Sequence, residues 1–219
     1  MKQFLLIFSV VAFWSVLGAE YDVKQLTLRE GAAIENGVLV LDGKNAYAEI
    51  PGTENIAITV PGITFACSIK PRFDARKGNG NEMMDSYFSK KGASFIFCRW
   101  GELISSRVLN SKTKKYDIER CYSLTKAGQW THLAFVLEPV SGEENVWIQR
   151  FYVNGKQKFE KKVENFSPVA GHGLVELGKG WGGSWMFTGE MADIIIEQKA
   201  LTVEEIATLV AKSRGMNSK

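Results

Sequence analysis

The chain has 219 residues, with 27 Lys and Arg against 24 Asp and Glu, for a formal net charge of +3. That near-balance, with the cations scattered rather than striped, gives no electrostatic case for a nucleic-acid partner. The length suits one ordinary domain, or an all-β domain at the larger end of its range.

In chain order the first element is a leader. Lys2 precedes an apolar run from Phe4 to Leu17, broken only by Ser9 and Ser15, and Gly18 and Ala19 follow. A cationic start, a short apolar segment and small residues at its exit describe a secretory signal peptide over residues 1–19. The run is shorter than the roughly 20 residues that cross a bilayer, so a membrane anchor is the weaker reading. Glu20 stands where a bacterial lipoprotein needs its cysteine. The chain is therefore expected to be secreted, periplasmic or at the cell surface, with no membrane insertion once the leader is removed. The domain is expected over residues 20–212.

The segments that follow read as strands. Val38-Leu39-Val40-Leu41 runs into the Asp42-Gly43 turn pair, and Ala46 to Ile50 alternates until Pro51 stops it. From Ile63 to Pro71, Ile63, Phe65, Cys67 and Ile69 share one face while Thr64, Ala66, Ser68 and Lys70 take the other, as in a half-buried strand. Further strands are expected at 86–89, 93–99, 102–108, 115–122, 174–177 and 192–197. The runs Gly128–Val136 and Phe151–Lys156 make a strand pair, and Asn154-Gly155 supplies a type I′ reversal. Lys112 to Lys115 reads as a solvated hairpin loop, and Ala75–Asp85, rich in Gly, Asn and charge, as the most mobile loop. Many short strands with regular turns indicate a sandwich or barrel.

One segment reads as a helix. Thr202 and Glu205 form a capping box, and Val203, Ile206, Leu209 and Val210 make the apolar stripe behind it. This helix is expected to pack over a sheet edge or end, with residues 213–219 fraying beyond it. Cys67, Cys98 and Cys121 make an odd set for an exported chain. Either one bridge forms, with Cys98–Cys121 the first pair to test, or all three are buried and reduced. Their spacing, with only His132 and His172 to assist, does not suit zinc.

These motifs, taken together, resemble a family. Val40-Leu41-Asp42-Gly43 followed by Tyr47 to Pro51 is similar to the opening of a laminin-G-like, concanavalin A-type domain. Thr64-Phe65-Ala66-Cys67-Ser68-Ile69-Lys70-Pro71 resembles its next strand, although Ser68 stands where a tryptophan is usual. The central strand pair, then Leu177-Gly178-Lys179, Phe187 to Asp193 and Ala200 to Ile206, follow in family order. The resemblance implies an all-β fold, a two-sheet antiparallel jelly-roll β-sandwich with a short C-terminal helix. It implies no single activity, because such domains include lectins, adhesion modules, glycosidases and lyases.

Catalytic patterns are weak. The Glu-x-Asp-x-x-Glu strand of jelly-roll glucanases and the Gln-Ile-His or Gln-Val-His strand of the lyases are both absent. Glu143-Glu144 is adjacent in a loop, so its side chains diverge, and Asp193 and Glu197 are separated by core-like Ile194-Ile195-Ile196. His132 is expected to be a hydrogen-bonded core histidine rather than a catalytic base. A binding role is better supported. Gly178 to Trp185 places Trp181 and Trp185 in a glycine-rich loop, where flat rings stack on sugars while polar neighbours bond their hydroxyls; His172 precedes it. The alternative is that either tryptophan caps the core. Trp100 is a lesser candidate, and Trp130 and Trp147 read as packing residues. Relatives often hold a structural calcium, a hard cation wanting about six to eight oxygen ligands, and Asp42 and Asp193 are the matching positions. The expected partner is a glycan or, on the alternative reading, another exported or surface protein.

Overall fold

The computed structural model describes residues 19–56, 58, 61–72, 84–93, 95–100, 103–122, 125–169, 171–180 and 185–214. The expected leader lies outside these except for Ala19. One antiparallel sheet contains β1 (Ala19–Tyr21), β3 (Ala33–Glu35), β4 (Val38–Asp42), β6 (Ile63–Pro71), β11 (Thr131–Pro139), β12 (Trp147–Val153), β13 (Lys156–Val163) and β15 (Thr188–Glu197). The other contains β2 (Thr27–Arg29), β5 (Tyr47–Ile50), β7 (Met84–Lys91), β8 (Phe95–Trp100), β9 (Leu103–Leu109), β10 (Tyr116–Tyr122) and β14 (His172–Leu177). The eight-stranded sheet runs β13-β12-β11-β6-β15-β4-β3, with β1 also paired to β15; the seven-stranded sheet runs β10-β9-β8-β7-β14-β5-β2. This is the jelly-roll sandwich. β1, β2 and β3 are short strands not anticipated from the sequence.

The core is a stack of rings between the sheets. Phe159, Phe151, Phe135, Phe65 and Ile196 stand in register across five neighbouring strands. From the facing sheet Phe97 stacks on Phe135 at 5.4 Å and on Phe151 at 6.0 Å, and Phe88 meets Phe65 at 5.4 Å. Each such side chain contributes roughly 1.5–3 kcal/mol on leaving water. The Asn154-Gly155 reversal adopts φ of 48° and 76°, as a type I′ turn requires. The Lys112–Lys115 loop is exposed, as expected, and Asn110 Oδ1 accepts from the Lys112 and Thr113 amides.

β6 departs from the half-buried expectation because Thr64, Ala66 and Ser68 are buried as well. The reason is α1 (Val203–Lys212), which covers the outer face of the eight-stranded sheet rather than an edge or end. Ile206 and Leu201 pack there on Ala66, Ala134, Val136, Tyr152 and Ile195. The capping box forms, and Thr64 Oγ accepts from the Leu201 amide at 3.0 Å and donates to the Lys199 carbonyl at 2.8 Å. The chain does not fray at residue 213. Ser213 is buried, and the Arg214 amide donates to Asp193 Oδ2 at 3.0 Å. No helix among the described residues is long and apolar enough to cross a membrane.

Candidate functional site

Alternate residues of the seven-stranded sheet face the core, so the intervening ones form an outer face that α1 leaves uncovered. The register carries one row across all seven strands: Thr27, Glu49, Glu176, Ser89, Ile96, Arg107 and Ile118. Lys179 and Gly180, just after β14, and Trp185 lie over this face. Ser89 Oγ donates to the Lys179 carbonyl at 2.6 Å, and the Ser86 and Gly180 amides donate to the Trp185 carbonyl at 3.3 and 3.0 Å. Gly180 must be glycine here, since a Cβ would stand 2.7 Å from that of Trp185.

These residues divide the face in two. On one side Lys179 Nζ lies 3.7 Å from the Tyr47 ring centroid and 2.9 Å from Glu176. Glu49 stands opposite Glu176 and pairs with Arg29 at 2.9 Å. Burial pulls Lys179 down, but the bonds and charge of Glu176 and Tyr47 outweigh it and hold the ammonium above its ordinary range. On the other side Trp185, half-buried, packs over Ile96 and Cys98, with the Arg107 guanidinium 4.7 Å from its ring centroid. Tyr116 and Ile118 on the edge strand β10 flank Arg107, each 38% exposed. An indole, a guanidinium and the exposed Tyr116 and Ile118 thus lie together above Ile96 and Cys98, which are fully buried.

The expected site residues are dispersed. Trp185 sits on the sheet face, neither at a rim nor over the open end of the core, and Trp181 lies outside the described residues. His172 is exposed and starts β14 opposite Lys91, whereas the Trp185 backbone is bonded at Ser86. Five residues of β7 separate the two, on the order of 15 Å, so His172 does not join Trp185. Trp147 is buried edge-on to Phe166 at 5.6 Å, the packing role expected of it. Trp130 is only half-buried. The side chain of Trp100 lies outside the described part of the structure.

Asp42 and Asp193 do not converge on one ion. Thr188 is the residue of β15 opposite Asp42, and Asp193 comes five residues later, again on the order of 15 Å away. Asp42 Oδ1 instead accepts from the Lys44, Ala46 and Asn45 amides, which hold its carboxyl below the usual range. Asp193, at φ 51° beside a bulge in β15, accepts from Arg214. Among the described residues no three His, Cys, Asp or Glu side chains are placed to hold a metal. These two carboxylates are therefore not placed to share one ion.

The Cys98–Cys121 bridge does not fit either. β9 lies between β8 and β10, so the two Cα atoms are two strand spacings apart, roughly 9.6 Å. A disulfide reaches about 7 Å at most. Cys67 is a buried free thiol, pushed up by that burial and by the charge of Asp193.

The catalytic candidates divide similarly. Glu143 pairs with Lys162 at 2.7 Å in the β11–β12 turn. Asp193 and Glu197 line a cleft of only about 80 Å³, far below the roughly 300 Å³ of a small-ligand site. His132 is buried as expected, but neither ring nitrogen has a hydrogen-bond partner among the described residues, and the same holds for Ser68 Oγ opposite. Its backbone makes the bonds, donating to Asn154 Oδ1 at 2.9 Å. A facing carboxylate pair on the seven-stranded sheet, Glu49 and Glu176, was not anticipated. Each member alternates outward in its own strand, yet only the β5–β14 pairing brings them together. Each meets a cation, whereas a glycosidase needs one of its two carboxyls to carry a proton.

Several solved structures share the architecture. The receptor-binding domain of botulinum neurotoxin D has a TM-score of 0.62 at 14% identity, over 85% of this chain and 47% of that one. The binding domain of Paraclostridial Mosquitocidal Protein 1 gives 0.64 at 15% identity, over 84% and 46%. The ligand-binding domain of botulinum neurotoxin D solved with N-acetylneuraminic acid gives 0.63 at 12% identity, over 85% and 45%. This chain spans less than half the length of those domains, and the likeness is one of fold. No curated protein matches it in sequence. A family model does match, over residues 42–207, and with the two sheets and the closing helix in place the chain belongs to the concanavalin A-like lectin/glucanases superfamily.

Proposed function

We propose that this chain is an exported, non-catalytic module that binds glycans on the outer face of its seven-stranded sheet. The observation that carries the reading is the Trp185–Arg107 stack, 4.7 Å apart beside exposed Tyr116 and Ile118. Sugars present apolar C–H surface and hydroxyls together, and an indole next to guanidinium donors answers both. Support also comes from the ligand-binding domain solved with N-acetylneuraminic acid, 45% of which shares this fold. The cation on each of Glu49 and Glu176 favours binding over glycoside hydrolysis.

A glycan-array screen of residues 20–219, run with calcium and with a chelator, tests this. Specific binding is expected in both conditions, weakened at least tenfold in Trp185→Ala and Arg107→Ala while far-UV circular dichroism is unchanged. A blank array, or binding that survives both substitutions, overturns the reading. A blank would favour a protein partner instead. Its specific support is the exposed Tyr116 and Ile118 beside the open edge of β10.

A further inference from the structure

α1 does not close the whole outer face of the eight-stranded sheet. Near β4 and the end of β6 there is a groove of about 630 Å³, within the roughly 300–1,000 Å³ of small-ligand sites. Its lining joins separate parts of the chain. Val38 and Val40 come from β4, Lys70 and Pro71 end β6, and Trp130 precedes β11. The Gly128 amide donates to the Pro71 carbonyl at 2.8 Å, which ties the turn carrying Trp130 to β6. Arg214, just past α1, closes another wall, donating from a guanidinium nitrogen to the Asn36 carbonyl at 3.1 Å.

The charges in this groove do not cancel. Lys70 pairs with Glu190 at 3.0 Å, its ammonium 5.8 Å from the Trp130 ring centroid. Arg72 is exposed, and its guanidinium makes no hydrogen bond or ion pair among the described residues. The Arg214 guanidinium reaches the Asn36 carbonyl and makes no ion pair among the described residues, the Asp193 carboxylate being bonded to the Arg214 backbone amide. Against these two guanidinium groups the lining offers only one further acid, Glu35. Guanidinium donors take a planar carboxylate through two parallel bonds. The indole and the valines provide apolar contact for a ring.

We propose that this groove is a second saccharide site, selective for acidic sugars, with a uronate carboxylate on Arg72 and Arg214 and the ring against Trp130. It uses none of the residues of the Trp185 face and stands or falls separately from it.

Calorimetric titration with a galacturonic acid trimer tests the assignment, with a galactose trimer and a sulfated trimer as comparators. The uronate trimer is expected to bind, to weaken with added salt, and to lose at least tenfold in affinity in both Arg72→Ala and Trp130→Ala. Lys112→Ala, which removes one cation from an exposed loop, is expected to change affinity less than twofold. Arg72 is exposed, so Arg72→Ala remains informative if Trp130→Ala fails to fold. No heat with the uronate trimer, equal affinity for the neutral trimer, preference for the sulfated one, or losses in Lys112→Ala matching those in Arg72→Ala would each overturn the proposal. Glycan binding at the Trp185 face is expected to survive in Arg72→Ala, which separates the two sites.

Discussion

His132 stands opposite Ser68 on the covered face of β6 and β11, with Asp193 near enough to act on it electrostatically. Burial holds its pKa down at about 4, while the charge of Asp193 pulls the other way. The folded protein therefore keeps the ring neutral where the unfolded chain, with an ordinary value near 6.5, takes up a proton. Stability from this source is complete above about pH 6.5 and is lost as pH falls toward 4. Between pH 7 and 4.5 the loss should be about 2–3 kcal/mol, read as a falling urea midpoint that His132→Leu flattens. A slope unchanged by that substitution would assign the acid sensitivity elsewhere. Lys90 is the opposite case, a buried ammonium donating to the carbonyls of Thr53, Glu54 and Ile56 at 2.9, 2.6 and 3.1 Å. Lys90→Met would strand three acceptors and should cost on the order of 3 kcal/mol in urea unfolding. Alternation alone sets His132 on the outer face with Ala134 and Val136, away from Leu133 and Phe135, so its burial comes from the cover over that face. Its missing hydrogen bonds were no more legible, because they depend on what Ser68 presents across the ladder.

At the scale of elements, local chemistry was the legible part. Thr202 and Glu205 make their capping box from residues three apart, and Asn154-Gly155 makes its turn from adjacent ones. Asn36-Gly37 carries the same turn signal, at φ 50° and 72°, and marks the β3–β4 hairpin that went unanticipated. Where α1 docks was not legible, since its seat is assembled from β6, β11, β12 and β15. Thr202→Ala should cost about 1 kcal/mol through the lost cap. Ile206→Ala, buried in that seat, should cost about 2–4 kcal/mol. Thermal or urea unfolding would check both, and a larger loss for the cap than for the core residue would contradict this account of the helix.

At the scale of the molecule, one buried cluster joins both sheets, from Leu39 and Phe65 to Phe97 and Leu177. Unfolding followed by tryptophan fluorescence and by far-UV circular dichroism should therefore trace one coincident transition; two separated transitions would mean that the sheets come apart independently. The ordered motifs carried the fold because strands of such a sandwich announce themselves one at a time. The site was not legible in that way. Glu49 and Glu176, or Lys70 and Trp130, meet only through pairing between distant strands, and the same pairing keeps Asp42 from Asp193.

Lys179 and Trp185 are bonded down onto β7 at Ser89 and Ser86, and so act as a partition across the outer face of that sheet. A polymer seated by Trp185 has no straight course toward β14, and its free direction is lengthwise over β8, β9 and β10. Strand length then becomes a ruler: β9 and β10 have seven residues each, roughly 23 Å of track. Affinity should climb with each added sugar ring until that track is filled, and then level off.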